Sequence, residues 1–240
     1  MIFAAGLGTR LRPLTNDRPK ALVEIDGIPL LNLQLRRLKA YGFKSVTVNV
    51  HHFADMVIER LKAQDWGMEI YISDERALLL DTGGGIQKAI SNWQEGDDIF
   101  VINVDVLSDL DPGILYQRHQ ASNALATLAL RERATSRYLL FDPKMRLEGW
   151  ENKKTGEVKG TKNANSRALA FSGIQIINTA LIKTMPAGSP YSIIETYLEN
   201  AASGRIAGYL QEKGIWLDVG KHAELAQAAS LLPQISIPGI

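Results

Sequence analysis

The chain has 240 residues and no cysteine. That absence excludes thiolate nucleophiles, thiolate-bound zinc and disulfide frameworks. An excess of one charge is lacking too, since 27 Lys and Arg stand against 26 Asp and Glu, a net charge of +1. Dedicated nucleic-acid binders usually carry a strong basic excess, so no nucleic-acid partner is expected. No apolar run approaches the roughly 18 residues of a spanning helix, and no membrane contact is expected. The opening Met1-Ile2-Phe3-Ala4-Ala5-Gly6 has neither the basic lead nor the long apolar segment of a signal peptide. The cytoplasm is therefore the expected compartment. What is present is ordinary globular material, 45% hydrophobic and 22% charged, with enough length to bury a core unaided.

Strand-like and helix-like segments alternate along the first half. Ile2–Ala4 is a short apolar run that ends at Gly6. Leu30–Tyr41 sets Leu30, Leu31, Leu35 and Leu38 on one helical face, with Gly42 as a stop signal. Ser45–Val50 alternates with period two, Glu69–Ser73 and Ile99–Asn103 read as strands, and Phe53–Leu61 reads as a helix. Ile86–Trp93 reads as a helix launched from a glycine cluster. This spacing predicts an α/β fold with a mostly parallel sheet. Later segments are less regular. Ala124–Arg131, Tyr138–Phe141, Met145–Trp150, Leu169–Ile177 and Arg205–Leu210 read as strands, and Ile193–Ala202 reads as a helix. Glu151–Arg167 is polar and glycine-bearing, as in a hairpin tip or mobile loop. Without repeats or low-complexity linkers, one domain over 1–240 is expected.

The first run opens into Ala4-Ala5-Gly6-Leu7-Gly8-Thr9-Arg10, with Arg18-Pro19-Lys20 shortly after. Glycines at the end of a strand let backbone N–H groups approach phosphate oxygens without interference from a Cβ. Two common glycine motifs are excluded. The dinucleotide fingerprint lacks its last glycine here, and no Gly-Lys-Ser/Thr triplet supports a Walker A loop. A glycine loop with two cations, Arg10 and Lys20, remains. Arginine offers a planar fork to a phosphoryl group and lysine a point charge.

Gly6-x-Gly8-Thr9-Arg10 with Pro19-Lys20 resembles the signature of the sugar-1-phosphate nucleotidylyltransferases. Leu80-Asp81-Thr82-Gly83-Gly84-Gly85-Ile86 and Trp216-Leu217-Asp218-Val219-Gly220 extend the likeness over nearly the whole chain. The resemblance implies a Rossmann-like, mixed and mostly parallel sheet in a single nucleotidyltransferase domain. The start is a few residues shorter than in many members, which predicts a clipped first strand. No hexapeptide repeat follows Asp218, so the β-helix of some relatives is not expected.

The partners implied are a nucleoside triphosphate and a sugar 1-phosphate, and the products an NDP-sugar and pyrophosphate. Arg10 and Lys20 are the implied catalytic residues, and Asp105 and Asp218 the implied ligands of Mg²⁺. Many members have Gly-Asp at the first metal position, where this chain has Val104-Asp105. Read without the family, Asp105 caps a turn and Asp218 is a solvated turn residue. Ala4, Ala5, Gly6, Gly8, Thr9, Thr82, Gly83 and Gly84 are the implied nucleotide contacts. Glu75 resembles a residue that reads the base edge, at a spacing one residue too long. Gly173, in the turn-like Phe171-Ser172-Gly173, is the implied sugar contact. The loop 151–167 would close over the sugar, with Lys153, Lys154 or Lys162 meeting its phosphate or an acidic substituent.

Uridylyl transfer to an amino sugar phosphate such as N-acetylmuramate 1-phosphate is the expected reaction. Guanylyl transfer to mannose or heptose 1-phosphate and cytidylyl transfer to phosphocholine are the alternatives. A nucleotide-sugar sensor without catalysis is the reading from a different class. The remaining motifs are bland. The four histidines lack the spacing of a zinc protease, and Asp109-Leu110-Asp111 has Gly113 where a phosphatase pair wants Thr or Val. No Gly-x-Ser-x-Gly elbow occurs.

Overall fold

Ser45–Val50 buries five of its six residues, so Thr47 and Asn49 are covered as well as the three valines. Burial of both faces is the mark of a parallel strand packed on both sides, not of a half-exposed one. In the computed structural model, which describes residues 1–235, Ile2–Phe3 runs parallel to this strand, pairing Ile2 with Val48. On its other side Ile2 pairs, again in parallel, with Ile102. Glu69–Asp74 pairs in parallel with the far side of Ser45–Val50 over all six residues. The first strand, Ile2–Phe3, is two residues long. The last five residues of the expected 1–240 domain lie outside the described residues.

Tertiary contacts divide the chain into two compact units, each assembled from separate segments. The first holds residues 1–80, 102–109 and those from 215 onward; the second holds 81–101 and 110–214. In the first unit, helix Leu30–Ala40 is buried well beyond one leucine face, with Gln34 and Arg37 inside as well. A two-stranded antiparallel ladder joins Val106–Ser108 to Trp216–Asp218. Asp218 therefore ends a short antiparallel strand, not a strand of the parallel sheet.

The second unit is largely antiparallel. Val158–Gly160, Leu147–Asn152, Arg137–Phe141 and Arg167–Asn178 follow one another in order, and Ala126–Arg131 also pairs with Arg167–Asn178. Ile206–Leu210 runs parallel to Ala126–Arg131. Three local expectations are corrected here. Phe171-Ser172-Gly173 is not a turn but part of the continuous strand Arg167–Asn178. The register on Ala126–Arg131 slips between Phe171 and Gln175, and Gly173 takes a φ of 72° within that irregularity. The glycine cluster does not precede a helix but lies inside one, Asp81–Ala89, followed by a 3₁₀ turn at Ile90–Asn92. Helix Pro112–Ser122 was not expected at all. Its signal was present, because Asp111 caps it through a bond from the Gly113 N–H (2.7 Å) and Pro112 opens it. The apolar Ile114 and Tyr116 are exposed, which breaks the face pattern that a periodicity reading depends on. Among the described residues no helix is long and apolar enough to cross a membrane.

Candidate active site

The first strand ends at Phe3, and the chain then bends outward as a loop fixed at both ends. Ala4 N–H donates to Asn49 Oδ1 (2.7 Å), and Val104 N–H donates to Phe3 O (3.0 Å). Ala4 and Ala5 are buried, whereas Gly6 and Leu7 are exposed and no heavy atom lies within 4 Å of a Cβ built on Gly6. Gly8 adopts a φ of 64°, where a side chain is strained. A Cβ there would also lie 3.0 Å from Thr15 Cγ2 and 3.1 Å from Lys20 Cβ. Thr15 Oγ1 donates to Gly8 O (2.9 Å), and Leu11 is fully buried beneath the 3₁₀ turn Thr9–Leu11. The loop is thus rigidly supported at its base, and its glycine backbone faces outward.

Lys20 lies against both carboxylates, and Arg10 against Asp218. Lys20 Nζ donates to Asp105 Oδ2 and lies 3.9 Å from Asp218 Oδ1. Arg10 Nη2 lies 3.8 Å from Asp218 Oδ2. The Lys20 side chain is 10% exposed and that of Arg10 58%, so Lys20 is a seated charge and Arg10 a reaching one. A Cβ on Gly220 would fall 2.8 Å from Arg10 Nη2, so the bare backbone at Gly220 leaves the guanidinium its room.

The ladder explains why Asp105 and Asp218 meet. Asp218 pairs with Val106, and Val219 N–H donates to Asp105 O (2.9 Å). Gln34, which sequence reasoning passed over, holds the turn from below: its Nε2 donates to Val106 O at 2.6 Å and to Val104 O at 3.4 Å. A buried glutamine in an amphipathic helix was the available signal. His222 Nε2 meets Arg12 O at 2.8 Å and ties helix His222–Leu231 to the segment after the glycine loop.

Burial, and then the negative charge of Asp105, raise the Asp218 carboxyl above its ordinary value; Lys20 and Arg10 offset only part of this. Asp218 Oδ1 is buried and has no hydrogen-bond partner among the described residues. Two convergent carboxylates with an unsatisfied oxygen suit a hard, oxygen-seeking cation such as Mg²⁺, which binds through one or two carboxylates plus substrate phosphates. No cluster of three or more acidic or histidine side chains occurs among the described residues. The residues therefore fit an ion shared with a substrate better than one fully caged by protein.

Glu75 faces inward. It is fully buried, Asn49 Nδ2 donates to its Oε1 (2.8 Å), and Leu80 N–H donates to its Oε2 (3.1 Å). Asn49 thus links the glycine loop, through Ala4, to segment 75–80.

Thr82, Gly83, Gly84 and Gly173 belong to the second unit. Thr82 Oγ1 accepts from Ile193 N–H (3.0 Å), and Gly83 N–H donates to Tyr191 O (2.9 Å). A Cβ on Gly83 would lie 2.3 Å from Tyr191 Cε2. Gly83 and Gly84 are buried, and the bare helix face at Gly83 admits the tyrosine ring. Glycine-to-alanine changes in helices usually stabilise by up to about 1 kcal/mol. Gly83→Ala is expected to do the reverse, costing about 1–3 kcal/mol through overpacking. Urea denaturation reads the sign, and a stabilised variant would refute this packing.

Segment 151–167 forms a hairpin, not an open loop, and its lysines are largely occupied. The buried Glu151 pairs with Lys153 at 2.8 Å and with Lys162 at 2.6 Å. Hydrogen bonds from Lys153 and then Lys162 hold the Glu151 carboxyl below its ordinary value. A lowered folded-state pKa means that stability is present above the unfolded value, about 4.3, and is lost as pH falls through the folded one. Glu151→Gln should therefore flatten the acid limb of the stability curve below about pH 4. An acid limb identical to that of the parent chain would remove Glu151 from that role.

A glycine loop backed by two cations and facing two carboxylates is equipment for moving phosphoryl groups between phosphate oxygens. The chain belongs to the nucleotidyl transferase family, whose model matches residues 1–234. It is 38% identical to the N-acetylmuramate alpha-1-phosphate uridylyltransferase of Caulobacter vibrioides, over 96% of each chain. Its identity to the protein of the same name from Neisseria meningitidis serogroup B is 30%, again over 96% of each. The fold is shared with HddC from Yersinia pseudotuberculosis, with a TM-score of 0.75 at 24% identity, covering 96% of this chain and 97% of that one. The expected α/β nucleotidyltransferase fold is thus the observed one.

Proposed function

We propose that this chain transfers a uridylyl group from UTP to N-acetylmuramate 1-phosphate, releasing pyrophosphate. The observation that carries nucleotidyl transfer is the convergence of Arg10 and Lys20 on Asp105 and Asp218. Similarity along nearly the full length to two uridylyltransferases supports the choice of base and sugar. A sugar-phosphate oxygen attacks the α-phosphorus in line, the new P–O bond forms, and the α–β bridging bond breaks to free pyrophosphate. The reaction needs no covalent intermediate, so the protein's contribution is positioning and charge neutralisation.

In this reading the loop Ala4–Thr9 receives the triphosphate, with backbone at Gly6 and Gly8 brought close. Arg10 reaches the β,γ-phosphates, where charge grows as pyrophosphate leaves. Lys20, already seated, holds the phosphates of the attacking pair. Asp105 and Asp218 are the residues that would hold Mg²⁺, which when bound neutralises and orients phosphate oxygens. Segment Thr82–Gly84 serves the nucleoside and Gly173 the sugar. The reading includes a single catalytic domain over the whole chain and a cytoplasmic site of action.

Pyrophosphate release tests it, with UTP, GTP, CTP, ATP and dTTP each screened against N-acetylmuramate, N-acetylglucosamine, glucose, mannose and heptose 1-phosphates and phosphocholine. The expected result is turnover greatest with UTP and N-acetylmuramate 1-phosphate. Turnover greater with another pair would reassign the substrates. No release with any pair would favour a sensor.

A further inference from the structure

The second unit contains a cavity of about 440 Å³, with none of the residues named above as handling nucleotide, sugar or metal in its lining. It lies between the C-terminal end of helix Pro112–Ser122, the edge strand Ile206–Leu210 and the turn at Lys144 and Met145. Its size falls within the ordinary range for small-molecule sites. Among the described residues no carboxylate lines it, whereas Arg118 and Lys144 both do. Among the described residues neither side chain has an ion-pair partner, and the neighbouring Asp142 is already held by Arg146 at 2.6 Å. Two uncompensated cations at one cavity favour a ligand with a compact anionic group.

A buried relay supplies the second feature. Thr127 lines the cavity, although the residue is only 1% exposed. Its Oγ1 lies 2.8 Å from His119 Nδ1, and His119 Nε2 lies 3.0 Å from Asp98 Oδ1. A carboxylate only accepts, so Nε2 carries a proton. The Thr127 hydroxyl, both a donor and an acceptor, has His119 Nδ1 as its one partner among the described residues and so keeps hydrogen-bonding capacity for a second. Asn178 Nδ2 also donates to Asp98 Oδ1 (2.6 Å), so the carboxylate that orients the ring is itself fixed. The hydroxyl is thus held in place by the relay on the wall of the cavity, with capacity left to pair with a ligand hydroxyl. Tyr209 and Met145 add less polar wall beside it.

We propose that this cavity binds a small hydroxylated phosphomonoester, with the phosphate on Arg118 and Lys144 and a hydroxyl hydrogen-bonded to Thr127. Such a ligand is an effector or passenger of this unit, separate from the reacting substrates. Glucose 6-phosphate is the probe, with glucose and sulfate as controls lacking the anion or the hydroxyls. Each is titrated calorimetrically into the full chain, the Arg118→Ala/Lys144→Ala double variant, and Lys20→Ala. Glucose 6-phosphate is expected to bind one to one, more tightly than sulfate, with no measurable binding of glucose. The double variant, altered only at exposed side chains, should weaken binding by about a hundredfold, roughly tenfold per charged contact. Lys20→Ala should leave it unchanged. Thr127→Val should lower affinity for glucose 6-phosphate toward that for sulfate, with Thr127→Ser restoring it. No binding to the parent chain, equal binding by the double variant, or loss only in Lys20→Ala would each overturn the proposal.

Discussion

Asp105→Asn and Asp218→Asn should each lower kcat by at least about 10²–10³, while their effects on stability diverge. The rate losses follow from removing either of the two carboxylates that would hold the phosphate-bridging cation. The divergence follows from the geometry. Asp105 is the direct partner of the nearly buried Lys20 ammonium, so its neutralisation leaves a desolvated cation without its closest counter-charge. Breaking such a pair is strongly destabilising, by about 3–5 kcal/mol in well-buried cases. Asp218 is disfavoured as a carboxylate by burial and by Asp105, and its Oδ1 lacks a donor. Neutralising it relieves a penalty, so Asp218→Asn should melt at or above the parent temperature in chelator-treated buffer. Functional carboxylates often carry such a stability cost. Melting curves and pyrophosphate release, measured on the same preparations, separate the two effects. Full turnover by either variant would remove that residue from the site, and a destabilised Asp218→Asn would contradict the reading of its environment.

Arg10→Ala should lower kcat by about 10²–10³ while changing the KM for triphosphate little. The Arg10 side chain is more than half exposed and lies 3.8 Å from its nearest carboxylate, so the resting fold depends little on it. Its stability effect should accordingly be small. In the proposed reaction, a group held loosely at rest contributes most where charge develops. Arg10→Lys should recover only part of the rate, since a point charge cannot reproduce the planar fork. A raised KM with unchanged kcat would assign Arg10 to binding of the ground state. Together with Lys20→Ala, the series tells the seated cation from the reaching one.

The local parts of the site were legible because they are contiguous in the chain. The glycine loop and its two cations fall within Ala4–Lys20, and the positive φ of Gly8 is the kind of demand that a glycine announces. The parallel strands were legible for the same reason, each being a short apolar run between turn signals. Segment 81–89 does not read as a helix from sequence, because three consecutive glycines disfavour one by propensity. Only the ring of Tyr191 lying against Gly83 shows what the small residues admit. The lysines of segment 151–167 were expected to be available, but a single buried carboxylate, Glu151, engages two of them. No local pattern reveals such a pairing.

By itself the sequence determined the class of chemistry: a glycine loop for phosphates, two cations, two candidate carboxylates, and an α/β scaffold to carry them. Those features are set by residue type and short spacing, which act within a turn or a strand. Only the tertiary structure decided that Asp105 and Asp218 face each other. Their meeting depends on an antiparallel ladder between Val106–Ser108 and Trp216–Asp218, and on Gln34 holding the turn from another element. Tertiary structure likewise turned Glu75 inward and joined Thr127, His119 and Asp98 into one relay. Such pairings form between segments far apart in the chain, where burial and hydrogen-bond satisfaction select the partner and sequence proximity carries no information.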